Sequence, residues 1–362
     1  MWGDHVSFVN DILNAKKACL EGSVGDFGKD YVYDLEKKKA FRLSRINDVK
    51  AFGIVPKIVP GFISLGYIYW KIMRKRCVRV GMPFLPSEAH LIDFGPLLGT
   101  RGTQVKVYDF DNLQVFCGCV GNKISTAYAN NEAEVYERYS DYIRVPRLIK
   151  KIGESCYIRE LVVGAEAKNI TCSSLNLIVN DLMFFYRGSS LFNVERQIYV
   201  SNAAGKIKSV GFLEPALVSW LEEIALQSTN NEVVLVKSHG DFAEKNILKS
   251  SDGFFYIIDW ERVSRNSLTY DVCNLFFKRT ASLSLEKETS PFYMESLLSV
   301  QNDVISKFHG DIEKSSAPNY ALFLLERASF EIDLYEKYPQ RLNNFFNIFE
   351  RHVQNLFSAY ES

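Results

Sequence analysis

Between His239 and Glu261 the chain reads HGDFAEKNILKSSDGFFYIIDWE, and few folds can accommodate that text. An apolar run over residues 233–236 leads into it and reads as a strand. Asp241 then stands just past the end of a buried strand, where a carboxylate is costly unless it is partnered or in use. Gly240, immediately before it, permits a tight backbone path beside the acid. Two short strands follow, over residues 246–249 and 254–258, around the turn Ser250-Ser251-Asp252-Gly253. Asp259 closes the second of them. Two acids at the ends of neighbouring strands, with the amide of Asn246 between, make an oxygen-rich pocket of the kind magnesium takes. Any one of these residues alone would be explained as a cap or a turn residue. The whole spacing is not.

The text on either side gives the organisation. From His90 the chain reads as a strand (HLIDF), a Gly-containing turn, a strand over 104–108, a turn at 109–112 and a strand over 114–120. NNEAEVYERYSDY follows as a helix, with Val135, Tyr139 and Tyr142 at helical spacing and Asn130 or Asn131 as its cap. VPRLIKKIGESCYIRELVVG then reads as two strands joined through Gly153-Glu154-Ser155. After Gly164 the pattern becomes mainly helical. SSLNLIVNDLMFFYRG and EPALVSWLEEIALQS are amphipathic, and the final RLNNFFNIFERHVQNLFSAY carries Phe345, Ile348, Phe349, Val353 and Phe357 as a core stripe. Nearer the start, residues 30–44 (DYVYDLEKKKAFRLS) read as a hairpin. The expected division is an accessory region over 1–90, a β-rich lobe over 91–163 and a helical lobe over 164–362.

Composition narrows the function. The 362 residues are 47% apolar and 24% charged, which suits a folded chain with room for two cores. Lys+Arg and Asp+Glu are equal at 43 each, which argues against nucleic acid as a partner. Seven scattered cysteines give no disulfide framework and favour a reducing, cytoplasmic setting. Cys117 and Cys119 would point to one face of a strand as buried thiols. The start, MWGDHVSFVNDIL, has no basic region of a secretory signal. The apolar run over 59–73 is too short to span a bilayer, but the basic run Lys71 to Arg79 beside it would suit a peripheral membrane contact through 59–79. Oligomeric state is not legible.

The H-G-D-x-x-x-x-N stretch followed by I-D-W-E resembles the signature of the aminoglycoside phosphotransferase and choline kinase-like family, which shares the protein-kinase fold. The motif covers 239–261, and the strand and helix order extends a looser resemblance over about 91–280. The resemblance implies an α+β, two-lobed protein-kinase-like fold with a β-rich amino-terminal lobe, a mainly helical carboxy-terminal lobe and an extra N-terminal region. It implies ATP and Mg2+ as cofactors. Asp241 would be the catalytic base for an acceptor hydroxyl, and Asn246 and Asp259 would hold magnesium. His239 would support the catalytic loop, Asp271 would brace it, and Glu261 would serve either the metal or the structure. Backbone groups near Leu161 and Val162 would bond the adenine edge. Gly99 and Gly102, flanking Thr100 and Arg101, would cover the phosphates.

A kinase of this type expects a lysine on its third strand, paired with a helix glutamate. Glu132 is the preferred glutamate and Glu134 the alternative. The third strand reads QVFCGCVGN and has no lysine in its middle. Lys106, on the preceding strand, and Lys123, past the strand end, are the substitutes, with Lys106 preferred. The leading expectation is an ATP-dependent phosphotransferase acting on a hydroxyl of a small molecule or saccharide, with a cell-envelope glycan or glycolipid precursor as one candidate. Carboxylates after residue 280 are mixed with lysines and indicate no cationic acceptor. The missing third-strand lysine motivates the alternative, a pseudokinase or nucleotide-binding scaffold. A protein kinase is disfavoured, since only eleven residues separate Asp259 from Asp271 and leave little room for a peptide platform.

Overall fold

The computed structural model describes residues 31–34, 39–42, 68, 77–80, 91–94, 103–120, 123–153, 156–167, 170, 172–211, 213–282, 316–335, 342–343, 345–350 and 352–354. The chain divides into two compact units. One comprises Met1–Glu166 with Ile247–Glu261, the other Ala167–Asn246 with Arg262–Ser362.

The first unit is built on an eight-stranded antiparallel sheet. Its strands are β1 (Tyr31–Asp34), β2 (Lys39–Arg42), β3 (Cys77–Val80), β4 (Leu91–Phe94), β5 (Thr103–Asp109), β6 (Gln114–Val120), β7 (Leu148–Ile152) and β8 (Cys156–Glu160), in the order β3-β1-β2-β4-β5-β6-β8-β7. β1 and β2 form the expected hairpin, Tyr31 facing Arg42. They and β3 extend the same sheet as β4 to β8, so the segment read as an accessory region supplies three of its strands. Val105, Val107 and Phe116 are buried on one face of β5 and β6, and Val115 and Cys117 on the other, so both faces of these strands are covered.

Helix α1 (Lys123–Tyr139) packs against β6, β7 and β8. It starts well before the expected cap, at Lys123. The buried stripe runs Ala129, Glu132, Ala133 and Tyr136, whereas Tyr142, expected on it, is 66% exposed beyond the helix end. Asn131 caps nothing; its side-chain amide donates to the Glu261 carbonyl at 3.2 Å. A second sheet of this unit runs β13-β12-β9, from β9 (Gly164–Glu166), β12 (Ile247–Ser250) and β13 (Phe255–Ile257). At Gly164 a Cβ would stand 2.6 Å from the Lys249 carbonyl oxygen, so the close β9–β12 approach requires glycine.

The second unit holds α2 (Cys172–Gly188), α3 (Arg196–Val210), α4 (Pro215–Leu226), α5 (Tyr270–Ser282) and α6 (Ser316–Tyr335). Its sheet runs β10-β11-β14, from β10 (Phe192–Glu195), β11 (Glu232–Ser238) and β14 (Ser264–Ser267). α6 is central. Leu322, Phe323, Leu324, Leu325 and Ala328 are all buried, and the helix packs against α3 and α4. Its buried positions run consecutively and take in the charged Glu326 and Arg327, so the helix is covered on every side there. α3 has no strong apolar signal; its inward positions are Arg196, Val200, Ala204 and Ile207. Arg196 is buried with its head on the carbonyls of Asn230 (2.8 Å) and Ala225 (3.0 Å), which tie α3 to the end of α4 and the start of β11. In the C-terminal helical segment Phe346, Phe349 and Val353 are buried while Ile348 is exposed, which rotates the core stripe by one position from the expected one.

Candidate active site

The second unit presents the HGD loop at the end of β11. Gly240 has φ +79°, and a Cβ there would stand 2.1 Å from the Arg262 carbonyl oxygen, so only glycine fits. The loop hangs from one buried carboxylate. Asp271, in the first turn of α5, accepts the His239 N–H at 2.7 Å, the Gly240 N–H at 3.0 Å and the Tyr186 hydroxyl at 2.7 Å. Burial pushes the Asp271 carboxyl up, against the pull of those donors. His239 is buried, and its Nδ1 accepts the Asp241 N–H at 3.3 Å. Asn274 holds the Phe242 carbonyl at 2.9 Å. Asn246 ends a 3-10 turn, Glu244–Asn246, and its Nδ2 donates to the Asp241 carbonyl at 2.8 Å. That bond orients the amide and leaves Oδ1 as the atom it offers a cation.

Asp241 is 6% exposed and surrounded by positive charge. Lys245 Nζ lies 3.3 Å from one carboxylate oxygen; Arg262 Nη1 and Lys278 Nζ each lie 3.7 Å from the other, Oδ1. Oδ1 is buried and has no hydrogen-bond partner. Burial alone would raise the Asp241 carboxyl, but Arg262, Lys245, Lys278 and Arg327 outweigh it and hold the group well below the usual carboxylate range. Lys278 feels the converse: burial, then the neighbouring Arg327, lower its ammonium to about 8.

The first unit presents Lys106, Asp259 and Glu132. Lys106 faces Cys117 across β5 and β6, so its side chain rises from the position beside the one where a third-strand lysine would stand. Its Nζ meets Asp259 Oδ1 at 2.5 Å. Burial alone would lower the Lys106 ammonium; the Asp259 carboxylate first and Glu132 next outweigh it and hold the group well above its ordinary value. Glu132 is fully buried, its Oε1 accepts the Tyr136 hydroxyl at 2.5 Å, and its Oε2 has no partner. Asp259 has φ +66°, an uncommon conformation for a side chain with a Cβ, and such strain concentrates at working sites. Just beyond it, Trp260 is buried and its Nε1 donates to the Ile257 carbonyl at 3.1 Å, which fixes the strand end. Cys117 is a buried free thiol, as the alternation in β6 implied.

Leu161 and Val162 are buried, and the Leu161 N–H donates to the Leu113 carbonyl at 2.8 Å. The Leu161 carbonyl and the following backbone are therefore what this segment has to offer a base edge. Gly99, Arg101, Gly102 and the side chain of Lys123 lie outside the described residues, as does nearly all of 59–79. No cluster of three or more His, Cys, Asp or Glu side chains poised for a metal occurs among the described residues. Asn246 and Asp259 are nonetheless both hard oxygen donors, the type magnesium takes.

Residues 173–308 match the model of the choline/ethanolamine kinase family. No curated protein sequence matches the chain significantly. Among solved structures it is similar to choline kinase LicA from Streptococcus pneumoniae, at 14% identity and TM-score 0.47 over 73% of this chain and 92% of that one. An ethanolamine kinase from Plasmodium vivax gives 12% identity and TM-score 0.48 over 86% and 94%. An aminoglycoside phosphotransferase from Streptomyces rimosus gives 16% and 0.38 over 62% and 88%. Likenesses this loose transfer no substrate to this chain.

Four basic groups around Asp241 carry no sequence signature as a set. Lys245 sits inside the motif and Arg262 immediately after it. Lys278 and Arg327 come from α5 and α6; Asp271 ties the start of α5 to the loop, but nothing in the sequence places either basic side chain beside Asp241.

Proposed function

We propose that the chain transfers the γ-phosphoryl group of ATP, bound with Mg2+, to a hydroxyl of a small-molecule acceptor, with Asp241 as the base. The observation that carries the reading is the Asp241 carboxylate. It is buried, kept ionised by its neighbours, braced through the loop by Asp271, and has an oxygen with no donor on it. Such an oxygen can take the hydroxyl proton as the acceptor attacks. Magnesium, when bound with the nucleotide, supplies neutralisation of the phosphate charge. Asn246 Oδ1 and Asp259 would hold it, and Lys106 would take the α- and β-phosphates with Glu132 behind it. Gly99 and Gly102 would lie over the phosphates, and the backbone at Leu161 and Val162 would bind the adenine edge.

The lysine on β5 weighs against the scaffold alternative. Lys106 stands cross-strand from Cys117 and reaches Asp259, so the lysine absent from β6 has a replacement one strand away. The finer reading is a saccharide acceptor, with a glycolipid precursor met in the cytoplasm at a membrane surface through 59–79. Its support is the apolar run over 59–73 and the basic run that follows. Among the described residues no helix is long and apolar enough to cross a membrane. The test is phosphate transfer from ATP to hydroxyl acceptors, with and without a chelator. Transfer that stops on chelation and returns with Mg2+ is expected; transfer indifferent to the metal would refute the assignment of Asn246 and Asp259.

A further inference from the structure

The environment of Asp241 says more than that it is a base. Arg262, Lys278 and Lys245 lie within 3.7 Å of its carboxylate, and Arg327 adds to their field. Among the described residues the carboxylates paired with this group are Asp241 and Glu331, the latter with Arg327 Nη2. Four cations against two anions leave the group positive. Arg327 is 1% exposed, and its Nε and Nη1 have no hydrogen-bond partner. A buried guanidinium with idle donors is costly unless something fills them. Lys278, at 35% side-chain exposure, reaches toward solvent at the edge of the cluster.

A cationic acceptor would meet these charges as like charges. It would also want an aromatic face, the usual seat of a quaternary ammonium. Phe330 has two guanidiniums over it, Arg262 at 5.9 Å and Arg327 at 5.8 Å from its centroid, and the buried Tyr270 is engaged by Arg327 as well. An anion reverses both difficulties, since it would take the idle donors of Arg327 and the ammonium of Lys278.

We propose that the acceptor carries an anionic group, phosphate or carboxylate, close to the hydroxyl that receives the phosphoryl, and that Lys278 and Arg327 bind it. This rests on the phosphotransferase reading, with Asp241 as its base. Arg262 and Lys245 would then keep Asp241 ionised while the anion occupies the far side of the cluster.

The test is a matched acceptor panel with ATP and Mg2+: choline, ethanolamine and an aminoglycoside as cations, glucose as the neutral case, glucose 6-phosphate and glucuronate as anions. The expected result is that an anionic acceptor has the highest kcat/KM, the two anions distinguishing phosphate from carboxylate. Lys278→Gln is expected to raise that acceptor's KM roughly tenfold or more while the KM for ATP stays within about twofold. A preference for choline, ethanolamine or the aminoglycoside would overturn the inference and leave the phosphotransferase reading standing. So would equal use of glucose and its phosphate, or a Lys278→Gln effect on ATP alone. If no panel member is phosphorylated, binding is read by thermal shift: stabilisation by the anions and not by choline, lost in Lys278→Gln, sustains the inference, and its absence overturns it. Failure to bind ATP with Mg2+ at all would instead sink the phosphotransferase reading.

Discussion

Gly240 and Asp241 show how one residue serves the next. The left-handed φ of +79° and the 2.1 Å approach to the Arg262 carbonyl leave no room for a side chain at Gly240. Gly240→Ala therefore adds backbone strain of about 1–3 kcal/mol and a clash with main chain. We expect a melting temperature lower by several degrees and loss of activity, read by thermal denaturation and transfer assay. Lys106 is the second residue with a sharp consequence. It meets Asp259 across a strand register that puts it opposite Cys117. Lys106→Met should weaken ATP binding by roughly ten- to a hundredfold, the size expected for lost charge-assisted bonds. An unchanged KM for ATP would return the phosphate role to another lysine. Asp241, Asn246 and Asp259 stand out in the sequence as candidates because their spacing is local and fixed. The cations around Asp241 do not, because Lys278 and Arg327 reach it through tertiary packing, and spacing says nothing of that.

At the scale of elements, the junction of α5 with the HGD loop depends on one side chain. Asp271 satisfies two backbone N–H groups and the Tyr186 hydroxyl with one side chain. Removing it in Asp271→Ala strands all three, and a loss of roughly 3 kcal/mol or more is expected. Tyr186→Phe removes a single partner and should cost only about 1 kcal/mol. Urea unfolding of both variants measures the contrast; equal effects would contradict the brace. The junction of α6 with β14 is pH-sensitive for a related reason. Glu326 accepts the Ser267 N–H at 2.8 Å, the Ser267 hydroxyl at 2.6 Å and the Tyr199 hydroxyl at 2.7 Å. Burial nevertheless pushes its carboxyl up to about 7. Its folded pKa is above its unfolded one, so the stability it contributes is fully present below about 4.5 and is lost as pH rises through about 7. Wild type should lose stability between pH 5 and 8 by roughly 3 kcal/mol from this group. In Glu326→Gln that component should vanish, leaving a flatter dependence of melting temperature on pH. Strong periodicities were read correctly, as in β5, β6, α2 and α4. α3 was missed because its inward positions are an arginine and small or medium residues rather than a large apolar stripe. The start of α1 was misplaced because asparagines that look like a cap serve other ends, one of them holding the Glu261 carbonyl.

At the scale of the molecule, the motif is divided between two compact units. The unit containing β1 to β8 also takes in Ile247–Glu261, so the motif read as one stretch crosses from one unit to the other between Asn246 and Ile247. That crossing cannot be seen in the sequence, where the base, the amide and the second acid lie on one line. Neither can the sharing of one sheet by residues 31–80 and the strands that follow, since short strands separated by long segments give no pairing signal. The central claim is that Asp241 is the base of a metal-dependent phosphotransfer. The measurement that tests it most directly is kcat for phosphate transfer from ATP in Asp241→Asn beside wild type, with ATP affinity measured in both. A fall in kcat of roughly 10²- to 10⁴-fold, with ATP still bound, is the expected result. Transfer at the wild-type rate in Asp241→Asn would contradict it.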